Sequence, residues 1–382
     1  MPVYMNEQRE LIRASVREFA DKELRPVSSK IDTEDAFPVE LFKRAGELGF
    51  LDLAVPEEYG GAGMDLTSHC VVIEEIAKAS ATMAMCMIAH SGLAMTAVNV
   101  LGTPEQKAKW LEPLVTGRAI GVYCMTEPCG NGNDGAYSCK AVVDGGDLVI
   151  NGTKIFCTNV GVADLFVVKA VTSDAKCSYI MVEKGTPGLN VGKIEDKVGW
   201  RGSSTGVVNF DNVRVPMANL LGPINQGVDI AVQCVFNEMI ACGACTLGIS
   251  EEALDITLNY TSHRPHKDGV CFPFKFDVMR VRMAEARSKI NAIRGATYLA
   301  SMDYDAGKPD FINSVMVKPY SYKAAEEITS VCMDLHGGVG VVRDAVIERL
   351  WRDAKVGLIG GGQYDNLLST CGAMMVMGAL KG

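Results

Sequence analysis

One glutamate lies in a stretch of the chain with almost no other charge. In QCVFNEMIACGA, Glu238 is flanked by Val235, Phe236, Met239 and Ile240, and the segment from Gly227 to Ser262 is apolar nearly all round a helical wheel. A carboxyl group held there loses its water, which disfavours the charged form and raises its pKa until it is poised to accept a proton. The same pattern also fits a surface Glu or one paired with a buried Arg. A second set of residues is HGGVG, where Gly337, Gly338 and Gly340 lack side chains and leave backbone N–H groups open to phosphate oxygens. A helix C-cap turn uses glycine in the same way. The thirteen cysteines form no paired CxxC set and lie in apolar stretches, which predicts buried free thiols in a reducing compartment and no metal site. No GxGxxG follows a strand, so a nicotinamide site of the Rossmann type lacks support.

The elements that must position these groups come in three blocks. From Glu7 to about Gly117 apolar residues recur at helical spacing, interrupted by PEEYGGAG. From about Ala119 to Pro216 the pattern changes to short β-branched and aromatic runs split by Gly and Asp, and VDGGDLVING predicts a hairpin turning at Asp144–Asp147. After Gly222 helical spacing returns, with long helices predicted at 227–262, 276–306 and 310–336. This order gives an α+β chain: a helical domain over 1–118, a β-barrel or sandwich over 119–226, and a helical bundle over 227–382.

Hydrophobic residues make up 48% and charged ones 22% of the 382 residues, as in an ordinary globular protein. Acidic residues outnumber basic ones 46 to 37, and the net charge of −9 argues against nucleic acid or an anionic membrane surface as the main partner. The N-terminal stretch reads as an amphipathic helix and not as a signal peptide, and no uncharged apolar run long enough to span a membrane is expected. A cytoplasmic enzyme is the expectation.

Over nearly its whole length the chain resembles the acyl-CoA dehydrogenase family. The most specific match is DLHGGVGVVRDAVIERLWRDAK, Asp334–Lys355, followed by KIFCTNVGVADLFVV, Lys154–Val168, and GWRGSSTGVVNFDNVRVP, Gly199–Pro216. The resemblance implies FAD as cofactor, an acyl-CoA or enoyl-CoA substrate, a homo-oligomer (by family habit a tetramer) and electron-transferring flavoprotein as redox partner. It places Tyr123, Met125 and Thr126 beside the flavin ring, Phe156 as a flat wall and Thr158 near flavin N5. Arg264 would reach the FAD of a neighbouring subunit, and Asp334 stands where the family has Gln on the adenine side.

The family's usual base, in a YEGT segment, is missing: the matching stretch is GGGQ, Gly360–Gln363, with Gly361 where Glu is usual. A minority of the family carries the Glu on an earlier helix, and Glu238 falls at that position. The resemblance therefore implies that Glu238 is the base and that Gly361 keeps the backbone N–H that binds the thioester oxygen. Ser91, Asp134 and Gly360 are implied substrate contacts, and His90 and Ser91 face the acyl pocket in the family. The family's CoA-binding Asp and Arg are Phe236 and Met239 here. IGGGQYD also resembles the ending of the crotonobetainyl-CoA reductase branch, which favours reduction as the physiological direction. Two other functions fit the same residues: a non-redox elimination or desulfination, and a flavin-fold subunit without catalysis.

Overall fold

The computed structural model describes residues 2–51, 55–130, 138–173 and 176–379. The first block folds as α1 (Glu7–Phe19), α2 (Ser28–Glu34), α3 (Val39–Glu47), α4 (Leu66–Ala79), α5 (Ala81–Met87), α6 (Thr96–Leu101) and α7 (Pro104–Val115). The helix starts are written into the sequence: Asn6 accepts from Arg9 N, Asp65 from Ser68 N, and Thr103 with Gln106 forms a capping box. Between α5 and α6, Ile88–Met95 is wound as a π-helix, a rare form found frequently at functional sites.

The middle block is a single mixed sheet: β1 (Gly121–Cys124), β2 (Lys140–Asp144), β3 (Asp147–Cys157), β4 (Leu165–Ser173), β5 (Lys176–Glu183), β6 (Leu189–Ile194), β7 (Gly206–Pro216) and β8 (Leu220–Leu221). Its hydrogen-bonded order is β6-β7-β3-β2-β4-β5-β8, with β1 parallel to the first half of β4. Among the described residues the path ends at β6 and β8, so the expected barrel or sandwich is one open path of strands. The hairpin forms where the Gly-Gly turn predicts, with Asp144 opposite Asp147.

The third block holds α8 (Gly227–Ser262), α9 (Phe272–Lys275), α10 (Asp277–Asp305), α11 (Phe311–His336), α12 (Val346–Gly357) and α13 (Tyr364–Ala379). The three long helices lie within a residue of their predicted bounds. Helix α8 packs against α4, α10 and α11, which is why its sequence is apolar on every side. Charged groups stitch the blocks together: Arg352 on α12 holds Asp32 on α2 through two bonds of 2.8 and 2.6 Å. Arg294 on α10 likewise reaches Glu74 on α4 at 3.4 Å, and within its own block it pairs with Glu251 on α8 at 2.6 Å.

Contrary to expectation, one stretch, Ala81–Leu101, is long and apolar enough to cross a membrane, but 78% of that window is buried inside the fold. It forms an inner wall of the helical core. All thirteen cysteines are free, as predicted, though Cys129 is exposed and Cys271 is half-buried.

Candidate active site

Glu238 sits on the inner face of α8 with 9% of its surface exposed. Burial pushes its carboxyl up to about 7, and the Lys318 ammonium on α11 pulls in the opposite direction. Among the described residues no hydrogen bond or ion pair holds it. Two glycines leave room around it. A Cβ at Gly92, in the π-helix, would lie 3.8 Å from Glu238 Cα, and a Cβ at Gly361 would lie 2.7 Å from Glu238 Oε1. Gly361 has φ +66, a left-handed conformation that glycine adopts freely. The carboxylate on the helix thus lies directly against the glycine on the loop.

Strand β1 reaches the same centre. The Tyr123 ring stacks on Tyr179 with centroids 5.3 Å apart. Its hydroxyl is pushed well up, first by burial and then by Tyr179, Cys234 and Glu238. The strand is anchored by His90, whose Nε2 bonds Leu114 O and whose Nδ1 accepts from Gly121 N, each at 2.9 Å. That arrangement fixes one neutral tautomer, and burial holds the imidazole down at about 4.

Beyond Tyr123 the chain forms a wall with a buried ion pair behind it. Lys154 Nζ donates to Met125 O at 3.0 Å and to Glu127 Oε1 at 2.7 Å, with both side chains fully buried. Glu127 Oε2 accepts from Ser138 N at 2.5 Å and Ser138 Oγ at 2.8 Å. Burial alone would raise the Glu127 carboxyl, but Lys154 and Ser138 bring it below its usual value. Ile155 N donates to Thr126 O at 2.9 Å, and the ladder to β7 slips between Lys154 and Cys157. This bulge turns Phe156 outward, leaving it 61% exposed at φ +53. A left-handed non-glycine residue costs about 1–2 kcal/mol, and such strain persists where the surroundings enforce it, as they do at ligand sites. Thr158 follows, half-buried, in the next turn. A flat aromatic face with a hydroxyl beside it fits the isoalloxazine of a flavin.

The glycine turn after α11 is a third part. Gly337 has φ 64 and ψ −141, a conformation essentially restricted to glycine. Nothing lies within 4 Å of a Cβ at Gly338, whereas one at Gly340 would strike Met333 O at 2.5 Å. Arg264 joins this turn within the same chain: Nη1 donates to His336 O at 3.3 Å, and the guanidinium lies 4.7 Å from the Phe272 centroid. The Gly337 N–H is donated to Asp334 O, so it is the open space over Gly338 beside the Arg264 cation that suits a phosphate. Asp334 is 63% exposed on its side chain and pairs with Arg282 at 2.6 Å.

Residues 6–118 match the acyl-CoA dehydrogenase N-terminal domain, 122–213 the middle domain and 225–375 the C-terminal domain. The chain belongs to the acyl-CoA dehydrogenase family. It is 36% identical to "Acyl-CoA dehydrogenase, short-chain specific" of Clostridium acetobutylicum, covering 93% of this chain and 94% of that one. It is 34% identical to "Acryloyl-CoA reductase (NADH)" of Anaerotignum propionicum, covering 93% and 91%. Among solved structures it superposes with TM-score 0.95 and 33% identity on a chain described under "Electron transferring flavoprotein of Acidaminococcus fermentans: Towards a mechanism of flavin-based electron bifurcation", covering 98% and 99%. These relatives do not single out the crotonobetainyl-CoA reductase branch.

Members of this family bind FAD, and the exposed Phe156, Thr158 and the open glycine turn fit that group. Other residues read from the family sit differently. Ser91 is fully buried and its hydroxyl donates to Leu51 O at 2.8 Å, so its one donor is taken by the fold. A Cβ at Gly360 would lie 2.5 Å from the Trp200 ring, so packing alone demands that glycine. Asp134 lies outside the described residues. Lys318, Glu127 and the Lys154 ammonium were not foreseen. The available signal was a lone charge inside an apolar run, as in FINSVMVKPYSY.

Proposed function

We propose that this acyl-CoA dehydrogenase family enzyme interconverts a short-chain acyl-CoA and its α,β-enoyl-CoA with FAD as cofactor and Glu238 as base. The observation that carries this reading is the 2.7 Å between Glu238 Oε1 and the Cβ position of Gly361. It supports the reading because the helix-borne carboxylate lies where a side chain on the loop would begin. FAD, when bound, supplies the acceptor or donor of the β-hydride. Glu238 takes the α-proton as the Cα–H bond breaks, and returns it in the reverse direction. A carboxyl poised at about 7 can do both near neutral pH. The Gly361 N–H receives the thioester oxygen and stabilises the charge that develops there. Tyr123 and Phe156 wall the site, and the Gly337–Gly340 turn with Arg264 holds phosphate oxygens of the cofactor.

The similarity to the Acidaminococcus fermentans chain supports an electron-transferring flavoprotein as partner. The acryloyl-CoA reductase likeness allows reduction as the working direction. Domains over 1–118, 119–226 and 227–382, a homotetramer and a cytoplasmic location complete the reading. The test is anaerobic bleaching of the flavin by butyryl-CoA. Wild-type protein bleaches, and Glu238→Gln keeps its FAD but slows by at least about a hundredfold. Normal turnover by Glu238→Gln would move the base elsewhere and reopen the elimination reading.

A further inference from the structure

Lysine is seldom fully buried unless it is paired, yet Lys318 on α11 is 1% exposed. Its ammonium donates to Gly357 O at 3.0 Å and to Gly362 O at 2.6 Å. These carbonyls bracket the loop that carries Gly360 and Gly361. Lys318 Cε lies 3.4 Å from the Cβ position of Gly361, the same point that lies 2.7 Å from Glu238 Oε1. The ring of Tyr322, one turn further along α11, backs the ammonium at 5.4 Å. Two consecutive left-handed glycines, φ +66 and +102 at Gly361 and Gly362, form a loop with little conformational preference of its own. Backbone bonds from Gly360 N to Val356 O and from Tyr364 N to Leu358 O hold its ends, and Lys318 grips the carbonyls on either side of Gly361.

We propose that Lys318 is the positioning residue of this centre: it fixes the Gly361 N–H that meets the thioester oxygen and places a positive charge beside the Glu238 carboxylate. The inference rests on Glu238 being the base.

The charge has few competitors. The titratable groups facing Glu238 are Lys318 from α11, Tyr123 from β1, and Cys234 and Cys242 from α8 itself. The π-helix and the loop present glycines there, Gly92 and Gly361. Burial pushes Cys234 and Cys242 up to about 12 and Tyr123 higher still than its usual value, so all three are neutral where the enzyme works. Burial also lowers Lys318, while Cys242 and Glu238 pull it back up. Among the described residues Lys318 is therefore the one cation set against desolvation of the base. Without it the carboxylate is harder to form, and the base titrates at higher pH.

The experiment compares FAD-loaded Lys318→Met, Lys318→Gln and Lys318→Arg with wild type and Glu238→Gln, using anaerobic flavin reduction by butyryl-CoA from pH 5.5 to 9. The wild-type rate rises through the base's titration, because only the carboxylate accepts a proton. Loss of the cation in Met and Gln should move that rise upward by about one pH unit. It should also lower the limiting rate at least about tenfold through the displaced loop. Arg keeps the charge, so its profile should stay near wild type even where its bulk slows the limiting rate. A Met or Gln variant that retains FAD with an unmoved profile overturns the proposal. So does loss of folding or FAD in all three variants, since the residue would then serve the fold alone. Glu238→Gln read beside them separates the two failures: full activity there refutes the base, whereas inactivity there with unmoved Lys318 profiles refutes only Lys318.

Discussion

Exchanging the two carboxylate positions is the most demanding test of the geometry. A glutamate at position 361 meets two obstacles. The left-handed φ of +66 costs a non-glycine residue about 1–2 kcal/mol. The new Cβ would also stand 2.7 Å from Glu238 Oε1, about 0.7 Å inside ordinary contact. Gly361→Ala alone should therefore lower stability by about 1–2 kcal/mol. By pushing the carboxylate aside it should also cost up to about a hundredfold in flavin reduction. Glu238→Gln with Gly361→Glu keeps the clash, since the amide fills the same space, and should remain inactive. Glu238→Ala with Gly361→Glu clears the space and should recover part of the rate, at least about tenfold over Glu238→Ala alone. The assay is stopped-flow bleaching of the flavin by butyryl-CoA without oxygen, with FAD content and denaturant midpoints measured on the same samples. Equal rescue in the Gln and Ala backgrounds would refute the claim that the two side chains compete for one place.

The Glu238 carboxyl is raised from 4.5 to about 7 in the folded protein, so its contribution to stability is present below pH 4.5 and is lost as pH rises to 7. Glu238→Gln should therefore be more stable than wild type at pH 8 by about 3 kcal/mol, with the gap shrinking towards pH 4.5 in denaturant titrations. Lys154→Met leaves Glu127 buried without its cation and should cost about 3–5 kcal/mol together with most of the bound FAD, read by denaturation and flavin absorbance. Phe156→Gly removes the strain at φ +53 along with the aromatic wall. The apo protein should melt no lower than wild type while FAD binds at least about tenfold more weakly by fluorescence titration.

Sequence reading went furthest where local pattern and tertiary environment agree. Helix α8 is apolar all round because helices cover it on every side, so both its length and the desolvation of Glu238 could be read from Gly227–Ser262. The β2–β3 hairpin followed from its Gly-Gly turn. Contacts between distant segments were not legible. Lys318 meets carbonyls 39 and 44 residues away, and nothing in its neighbours announces the loop it holds. The Ser91 hydroxyl likewise finds Leu51 O, 40 residues earlier. The bulge at Phe156 depends on the register with β7, and the π-helix keeps the same apolar composition as an α-helix.

That π-helix limits how the chain can change length. A π turn holds one more residue than an α turn, so deleting one residue within Ile88–Met95 would tighten the turn and shift the residues on one side of the cut by one position against those on the other. Gly92 lies against Glu238 while His90 holds Gly121, and a cut anywhere in the segment would pull one or both out of line. An added residue in the β2–β3 turn has no such effect, because nothing lies within 4 Å of a Cβ at Gly145 or Gly146. Insertions and deletions should therefore be freely accepted at that hairpin tip and rejected at the π-helix.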